Sequence, residues 1–282
     1  MTARIQPWFA RLLLLSVAGT IAAPSYSQDQ MAPPATTGAD QGSDSDESIR
    51  RTRLALGAQV GPKFPGSDEA RVSPYFDLSR ARGDDPFKFD APDQGFGLTV
   101  LRAGSLEVGP SIGFEGKRRR RDLDAPLPRI DWSLEVGAFA QLYLGDSFRV
   151  RSELRKGVTG HKGWVGVLSA DYVLRDADQW LVSIGPRLTV GNRRHQDTYF
   201  GVDPDDAIIA GLAPFKADAG IQNVGAAGSF LYQLTPRWGI MSFAKYDRLV
   251  GDAGRSPIVR ELGSRNQLSG GLALSYTFVK KK

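Results

Sequence analysis

The chain has 282 residues, and its 36 lysines and arginines against 31 aspartates and glutamates give a formal net charge of +5. So mild an excess does not indicate a nucleic-acid partner. There is no cysteine, which excludes a disulfide framework and a thiolate metal site. The two histidines, His161 and His195, are far apart in sequence, so we expect no histidine-based metal site and no cofactor.

The first residues combine arginines with a short apolar run. Arg4 and Arg11 come before the run at residues 12–23, and a small-x-small pattern, Ser25-Tyr26-Ser27, follows it. This order predicts a signal peptide over residues 1–27 that is cleaved on secretion. The alternative is a membrane anchor, but twelve apolar residues are too few to span about 30 Å of hydrocarbon as a helix.

The next residues, 28–49, are rich in Pro, Ser, Asp and Gly and contain little to bury. We expect a disordered periplasmic leader there. From residue 50 to residue 282 the composition changes to alternating apolar and polar positions. This region is predicted to be one β-barrel domain of the outer membrane.

Period-two alternation is clearest near the end of the chain. Over residues 268–278, Leu272, Leu274, Tyr276 and Phe278 share one face, while serines, glycines, Ala273 and Thr277 form the other. Similar alternation covers residues 106–114, 132–144 and 148–154. Such runs suit transmembrane strands, because alternate side chains then meet lipid and lumen.

A soluble β-sandwich also alternates, and three features weigh against it. Many strands approach ten residues or more. Trp132, Trp164, Trp180 and Trp238 lie at strand ends, as in an aromatic girdle. Short connections alternate with long ones, the habit of outer-membrane barrels. The short connections are residues 102–105, 145–147, 175–178 and 235–236, and the long ones are 61–70, 117–129, 192–221 and 251–265.

The sequence therefore predicts an all-β fold, a transmembrane antiparallel β-barrel of about twelve strands with short periplasmic turns and long outer loops. The expected strands are residues 52–60, 71–80, 86–90, 95–101, 105–115, 132–144, 147–156, 164–174, 179–191, 222–234, 237–249 and 266–278. One kinked strand over residues 86–101 could replace two, and ten strands is the alternative count.

Charged residues within the strands should face the lumen, since an Arg on the lipid face costs about 2–4 kcal/mol at the bilayer midplane. The candidate lumen charges are Arg149, Arg151, Glu153, Arg187 and Lys245. A narrow lumen holding both signs favours a plugged barrel over an open channel.

Two stretches of the long loops are candidate outer contacts. Arg118, Arg119, Arg120 and Arg121 follow Lys117 and could bind lipopolysaccharide phosphates, or form a solvated loop. Later, Asp203 and Pro204 predict the start of a short helix. Tyr199 and Phe200, just before it, would pack that helix over the barrel mouth or contact a partner.

We expect no catalysis. No G-x-S-x-G motif is present to place a nucleophile. Both histidines fall in predicted loops, where we expect them to be exposed and inert.

Four segments resemble the MltA-interacting protein family, also called MipA/OmpV, of Gram-negative outer membranes. They are GPKFPGSDEARVSPYFDL at residues 61–78, QDTYFGVDPDDA at 196–207, LVGDAGRSPIVRELGSRNQ at 249–267 and LALSYTF at 272–278. The likeness covers residues 50–278, although VKKK follows the terminal aromatic Phe278.

The resemblance implies an outer-membrane scaffold for peptidoglycan-remodelling enzymes, a lytic transglycosylase and a penicillin-binding protein, embedded in outer-membrane lipid and lipopolysaccharide. A surface adhesin, a barrel that binds a small solute or antibiotic, and a narrow channel are the alternatives.

Overall fold

A computed structural model describes residues 49–123 and 125–281 of the chain. The signal peptide and nearly all of the leader predicted above fall on residues 1–48, outside the described part, and both stay predictions. The strands are β1 Ile49–Pro62, β2 Ala70–Arg82, β3 Phe96–Gly97, β4 Leu101–Ala103, β5 Leu106–Glu115, β6 Ser133–Leu144, β7 Phe148–Gly157, β8 Trp164–Asp176, β9 Trp180–Gly191, β10 Gly220–Gln233, β11 Trp238–Leu249 and β12 Asn266–Lys281. The helices are α1 Arg193–Phe200, α2 Pro204–Ala210, α3 Gly251–Arg255 and α4 Pro257–Glu261, with a 3-10 turn at Arg120–Asp122.

Among the described residues, no helix is both long enough and apolar enough to cross a membrane.

The strands form one antiparallel sheet that curls on itself. Its order is β2-β1-β12-β11-β10-β9-β8-β7-β6-β5-β3, and β4 also pairs with β5. The first and last strands are joined by a ladder that runs from Ile49 opposite Lys281 to Val60 opposite Gly270. The twelve-stranded antiparallel fold predicted from the alternation is confirmed.

The early strands differ from the prediction. Residues 86–90 are not a strand, and the strand expected at 95–101 is replaced by the short β3 and β4. We call residues 83–95 the inward segment, because their aromatic side chains are buried inside the sheet. Phe87 and Phe89 alternate with charged residues as in a strand, but they are buried against lumen arginines instead of facing lipid.

The curled sheet is apolar outside and charged inside, the reverse of a soluble protein. In β7, Arg149, Arg151 and Glu153 are buried while Phe148 and Leu154 are exposed. Large exposed apolar side chains recur along the other strands in the same way. This pattern requires an apolar surrounding, and a strand wall can stand in lipid only when its backbone groups pair within the sheet.

The tryptophans mark the two ends of the wall. Trp132 and Trp164 lie where β6 and β8 begin, at the end with the long loops. Trp180 and Trp238 begin β9 and β11 at the end with the short turns. Aromatic side chains at both levels form the interfacial girdles that flank a bilayer.

Candidate functional site

The lumen holds two groups of ion pairs, which together we call the lumen network. Its members are Arg149, Arg151, Arg155, Arg187, Lys245, Glu135, Glu153, Asp93, Asp171 and Asp247. The strands supply all of them except Asp93, which belongs to the inward segment. The structure brings the five predicted lumen charges together within this set.

One branch of the network is centred on Asp171. Its carboxylate accepts from Arg149 Nη2 and from Arg187 Nη2, each at 2.7 Å. Arg187 Nε also donates to Asp93 at 2.8 Å. Lys245 lies between Asp93 at 3.6 Å and Asp247 at 3.1 Å. The inward segment is thereby tied to β7, β8, β9 and β11.

The other branch runs along β6 and β7. Arg151 Nε donates to Glu153 at 2.6 Å, and Arg155 Nε donates to Glu135 at 2.9 Å. Arg155 also pairs with Glu153. Because a buried charge costs several kcal/mol unless it is paired, the network is stable only when it is complete.

Cation–aromatic contacts hold the rest of the inward segment. The guanidinium of Arg53 lies 4.4 Å from the Phe87 ring centroid, and that of Arg149 lies 4.6 Å from Phe89. The backbone N–H of Phe87 donates to Asp178 in the turn between β8 and β9 at 2.9 Å. The inward segment therefore spans the lumen from the short-turn end, at Asp178, to the level of Asp93.

At the other end, the long loops fold into what we call the outer cap, residues 117–131, 192–219 and 250–265. Its core contains Tyr199, Phe200 and Ala253, all fully buried. Further apolar residues complete it, namely Ile130, Ala217, Leu249 and Val259. A second cluster around Val202, Ala207 and Ile258 continues this core. The long loops thus form a small packed lid.

The predicted outer contacts are placed differently from the expectation. Tyr199 and Phe200 pack inside the cap, so neither is available to a partner. Arg118 is buried and donates to the Tyr199 carbonyl at 2.9 Å and to that of Pro128 at 3.3 Å. Burial lowers the pKa of Arg118 to about 10. Because Arg118 is buried and both of its Nη atoms donate to backbone carbonyls, it is not exposed to a lipopolysaccharide phosphate, and that expectation was wrong for Arg118.

The neighbouring arginines differ from Arg118. Arg119 is half-buried, and its backbone N–H donates to Asp122 at 2.8 Å. Arg120 is exposed. The side chain of Arg121 lies outside the described part. Phosphate contact therefore stays a prediction for Arg119, Arg120 and Arg121.

The helix predicted after residue 203 is present as α2, with Asp203 at its N-cap position and Pro204 first. The Asp203 side chain makes no capping hydrogen bond. The helix α1, over residues 193–200, was not predicted, and there the Asn192 side chain caps by accepting from the His195 N–H at 3.1 Å.

The histidines were expected to be distant and exposed, and both expectations were wrong. Their rings are 4.5 Å apart in an edge-to-face arrangement, and both are buried. His161 Nε2 bonds Glu135 at 3.0 Å, and its Nδ1 accepts from the Gly163 N–H at 2.9 Å. His195 Nε2 bonds Gln222 at 2.8 Å. Burial, with the neighbouring His161, lowers the pKa of His195 to about 4.

Glu135, His161 and His195 place donor atoms within 4.8 Å of one another, a set that could hold a metal ion. The hydrogen bonds fit this poorly. His161 uses its Nδ1 lone pair on Gly163, so its Nε2 carries the proton that Glu135 accepts. A metal ion at His161 Nε2 would have to displace that proton. The two histidines with Glu135 therefore connect the cap to the lumen network.

The chain matches the model of the MltA-interacting protein MipA family over residues 54–278. It belongs to this family. The resemblance noted in the sequence is confirmed. None of the curated proteins compared with the chain matches it.

Among solved structures, the chain is similar to two outer-membrane proteins. An outer membrane channel of Pseudomonas putida F1 is 12% identical, with 86% of this chain and 100% of that chain covered and a TM-score of 0.44. The translocator domain of the autotransporter NalP from Neisseria meningitidis is 10% identical, with 85% and 90% covered and a TM-score of 0.34.

The sequence contains one weak signal of the contact between the two histidines, which was not predicted. His161 and His195 each lie beside the start of a strand or helix and near glycines, Gly160, Gly163 and Gly191. A Cβ at Gly163 would lie 2.4 Å from the His195 backbone nitrogen. Glycines that permit such an approach indicate a close contact without naming the partner.

Proposed function

We propose that this MipA-family barrel is a non-enzymatic scaffold of the outer membrane that holds a lytic transglycosylase, and with it a penicillin-binding protein, at its periplasmic end. The signal peptide over residues 1–27 would be cleaved on the way. The observation that carries the proposal is the family match, whose description is an MltA-interacting protein.

The contents of the interior support a binding role over turnover. The inward segment and the lumen network occupy part of the lumen, and the cap covers the outer end. Both histidines use ring nitrogens on structural partners, so neither is poised beside a nucleophile. A rigid barrel with an occupied interior is suited to presenting an end surface.

The short-turn end carries a candidate docking patch. Arg50 of β1 lies opposite Arg82 of β2 on one side and opposite Lys280 of β12 on the other. Arg80 lies next to them, and all four are exposed. Four cations on three neighbouring strands would attract an acidic partner surface. In sequence, Arg50 directly follows the residue-28–49 leader, and we propose the leader as a second contact.

The test is affinity capture of the tagged chain from crosslinked envelopes, with partners identified by mass spectrometry. We expect a lytic transglycosylase to be recovered. The doubly reversed variant Arg50→Glu/Arg82→Glu should lower recovery at least fivefold, and deletion of residues 28–48 should lower it further.

The matched control, Arg120→Glu, reverses the charge of an exposed arginine at the opposite end and should leave recovery unchanged. Recovery that is equal for all variants would remove the patch and the leader from the proposal. Recovery of barrel-assembly proteins and lipopolysaccharide alone would overturn the scaffold role.

A second candidate, a surface adhesin, is favoured by one observation on the cap. Ile208 and Ile209 of α2 are 83% and 67% exposed, the largest apolar exposure on the outer helices. Such exposed pairs mark contact points. Ile208→Ser/Ile209→Ser should reduce cell adhesion if this role is real, and should leave transglycosylase capture intact.

A further inference from the structure

The wall of the barrel has one place where the backbone ladder is missing. The sheet ends at β2 on one side and at β3 on the other, and within the described residues no ladder joins these two strands. β3 pairs with β5 through only Phe96 and Gly97. We call this boundary the seam. Strand edges facing lipid without partners are costly, since nothing in hydrocarbon satisfies their backbone groups.

Side chains bridge the seam on its outer surface. The rings of Phe76 in β2 and Phe96 in β3 stack with centroids 4.9 Å apart. Leu78 and Leu98 flank them and are exposed to the surroundings of the barrel. Side-chain contacts of this kind can separate without breaking a hydrogen-bonded ladder.

Behind the seam lies a cavity of about 1130 Å³. Its lining includes the outward-facing Phe76 and Leu98 as well as the lumen residues Lys88 and Arg151. The lining takes residues from β2 and from β3, the two strands that border the seam, so the space reaches from the lumen to the interruption in the wall. Its volume lies slightly above the usual range for ligand pockets, about 300–1,000 Å³.

The inner end of this cavity presents an unused donor. Arg151 is 2% exposed; its Nε donates to Glu153 and its Nη1 to Gln141 at 2.8 Å. Its Nη2 is buried and has no hydrogen-bond partner. This nitrogen points at the seam, because a Cβ added to Gly97 of β3 would lie 2.9 Å from it.

A buried donor without an acceptor is destabilising, and a ligand that supplies an acceptor removes that cost. The Phe139 ring, 3.8 Å from the same guanidinium, gives that ligand an apolar neighbour. The lining carries five acidic side chains, Asp77, Asp90 and Glu107 among them, beside six basic ones, so its nearly balanced charge suits a singly charged ligand better than a doubly charged phosphate. A single negative charge on a compact group fits best.

We propose that the cavity binds a long-chain carboxylate, such as a fatty acid, with its carboxylate on Arg151 Nη2 and its chain leaving through the seam between Phe76 and Phe96. The site goes beyond the scaffold role and is independent of it, since it uses the lipid-facing wall and not the periplasmic end.

The test uses the full chain in phosphatidylcholine nanodiscs and hexadecanoate with a photoreactive diazirine in its tail. Labels should map to β2, β3 or β4. Unlabelled hexadecanoate should compete at least tenfold better than hexadecanol, which lacks the charge. Labels spread evenly around the wall would overturn the site.

Variants locate the headgroup. Arg151→Gln should weaken competition by hexadecanoate at least tenfold and leave hexadecanol unchanged. Lys156→Gln removes one charge from the same strand, lies outside the cavity and should change neither. Equal effects of the two variants would contradict the role of Arg151.

A second experiment does not depend on how Arg151→Gln folds. Because the chain has no cysteine, Phe76→Cys/Phe96→Cys can be bridged by a short reducible thiol crosslinker. Bridging should abolish labelling, and reduction should restore it. Labelling that persists in the bridged protein would exclude the seam as the route. If photoreactive phosphatidylcholine labels the same strands and hexadecanoate does not compete, the occupant is bilayer lipid and the proposal fails.

Discussion

The interior of the barrel and its outer cap are filled in opposite ways. In the lumen, arginines and carboxylates pair around Asp171 and Glu153. In the cap, Tyr199, Phe200 and Ile258 pack as in a soluble core. The difference follows from where each region comes from. The lumen side chains come from strands in which every second side chain must face lipid and be apolar, so the polar ones point inward. The loops are free of that constraint and can bury apolar groups.

The largest expected effect is in the lumen, at Asp171, whose carboxylate pairs with Arg149 and Arg187. Asp171→Asn should lower the free energy of unfolding by about 3–5 kcal/mol, because it leaves buried guanidinium charge without its carboxylate. Denaturant unfolding in detergent measures this. The control Asp146→Asn, in an exposed turn, should change stability by less than about 0.5 kcal/mol.

The corresponding change in the cap is Ile258→Ala. Removal of this fully buried side chain should cost about 2–5 kcal/mol, and the loss should be confined to the cap. Limited proteolysis should cut residues 251–265 faster while the strands stay protected. Equal loss of protection in β7 and β8 would show that cap and lumen unfold as one unit.

The pH dependence of stability tests the boundary between the cap and the lumen, where His195 lies. Its pKa is lowered from 6.5 to about 4, so the folded state holds fewer protons than the unfolded state. The stabilisation is complete above pH 6.5 and is lost as the pH falls toward 4, by up to about 3 kcal/mol at 1.36 kcal/mol per pH unit.

Cap proteolysis between pH 7 and pH 5 tests this. The side chains next to His195 are Glu135, His161 and Gln222. His195→Gln should flatten the pH response. An unchanged response in this variant would assign the effect to another group.

The smallest effect compares the two helix starts of the cap. Asn192 accepts from the N–H groups of His195 and Trp164, so Asn192→Ala should cost about 1 kcal/mol. Asp203 makes no capping bond, and Asp203→Ala should cost only a few tenths, about 0.3 kcal/mol. Hydrogen exchange in α1 and α2 would show the difference. Equal losses would mean that the Asn192 bonds are not what holds α1.

Alternation predicted the wall well, because side-chain period two is a direct consequence of a strand between lipid and lumen. The later strands, β5 to β12, lie where the pattern placed them. The same rule failed at Phe87 and Phe89, which alternate with charges but stack on arginines inside the lumen. Alternation shows that the two faces of a segment differ in polarity, but it does not show whether a face meets lipid or the lumen.

The cap was harder to foresee for a different reason. Arg118 and Tyr199 are 81 positions apart, and His161 and Glu135 are 26 apart. A basic run and two histidines look exposed in sequence, and only tertiary contacts bury them. The short helix α2 was predictable because Asp203 and Pro204 are two adjacent local signals, whereas α1 has only Asn192 before it, with no proline at its first position and no acidic residue in its first turn.

The ladder between β1 and β12 has a consequence for how the molecule is made. It joins Ile49 to Lys281, so the longest loop in the chain closes only when the last strand is available. Long-range pairing of this kind slows folding, because the entropy of closing the loop is lost before contacts form. The seam, by contrast, lies between neighbours in sequence. During assembly, the join between the most distant segments becomes a full ladder, while the one between close segments stays the weakest point of the wall.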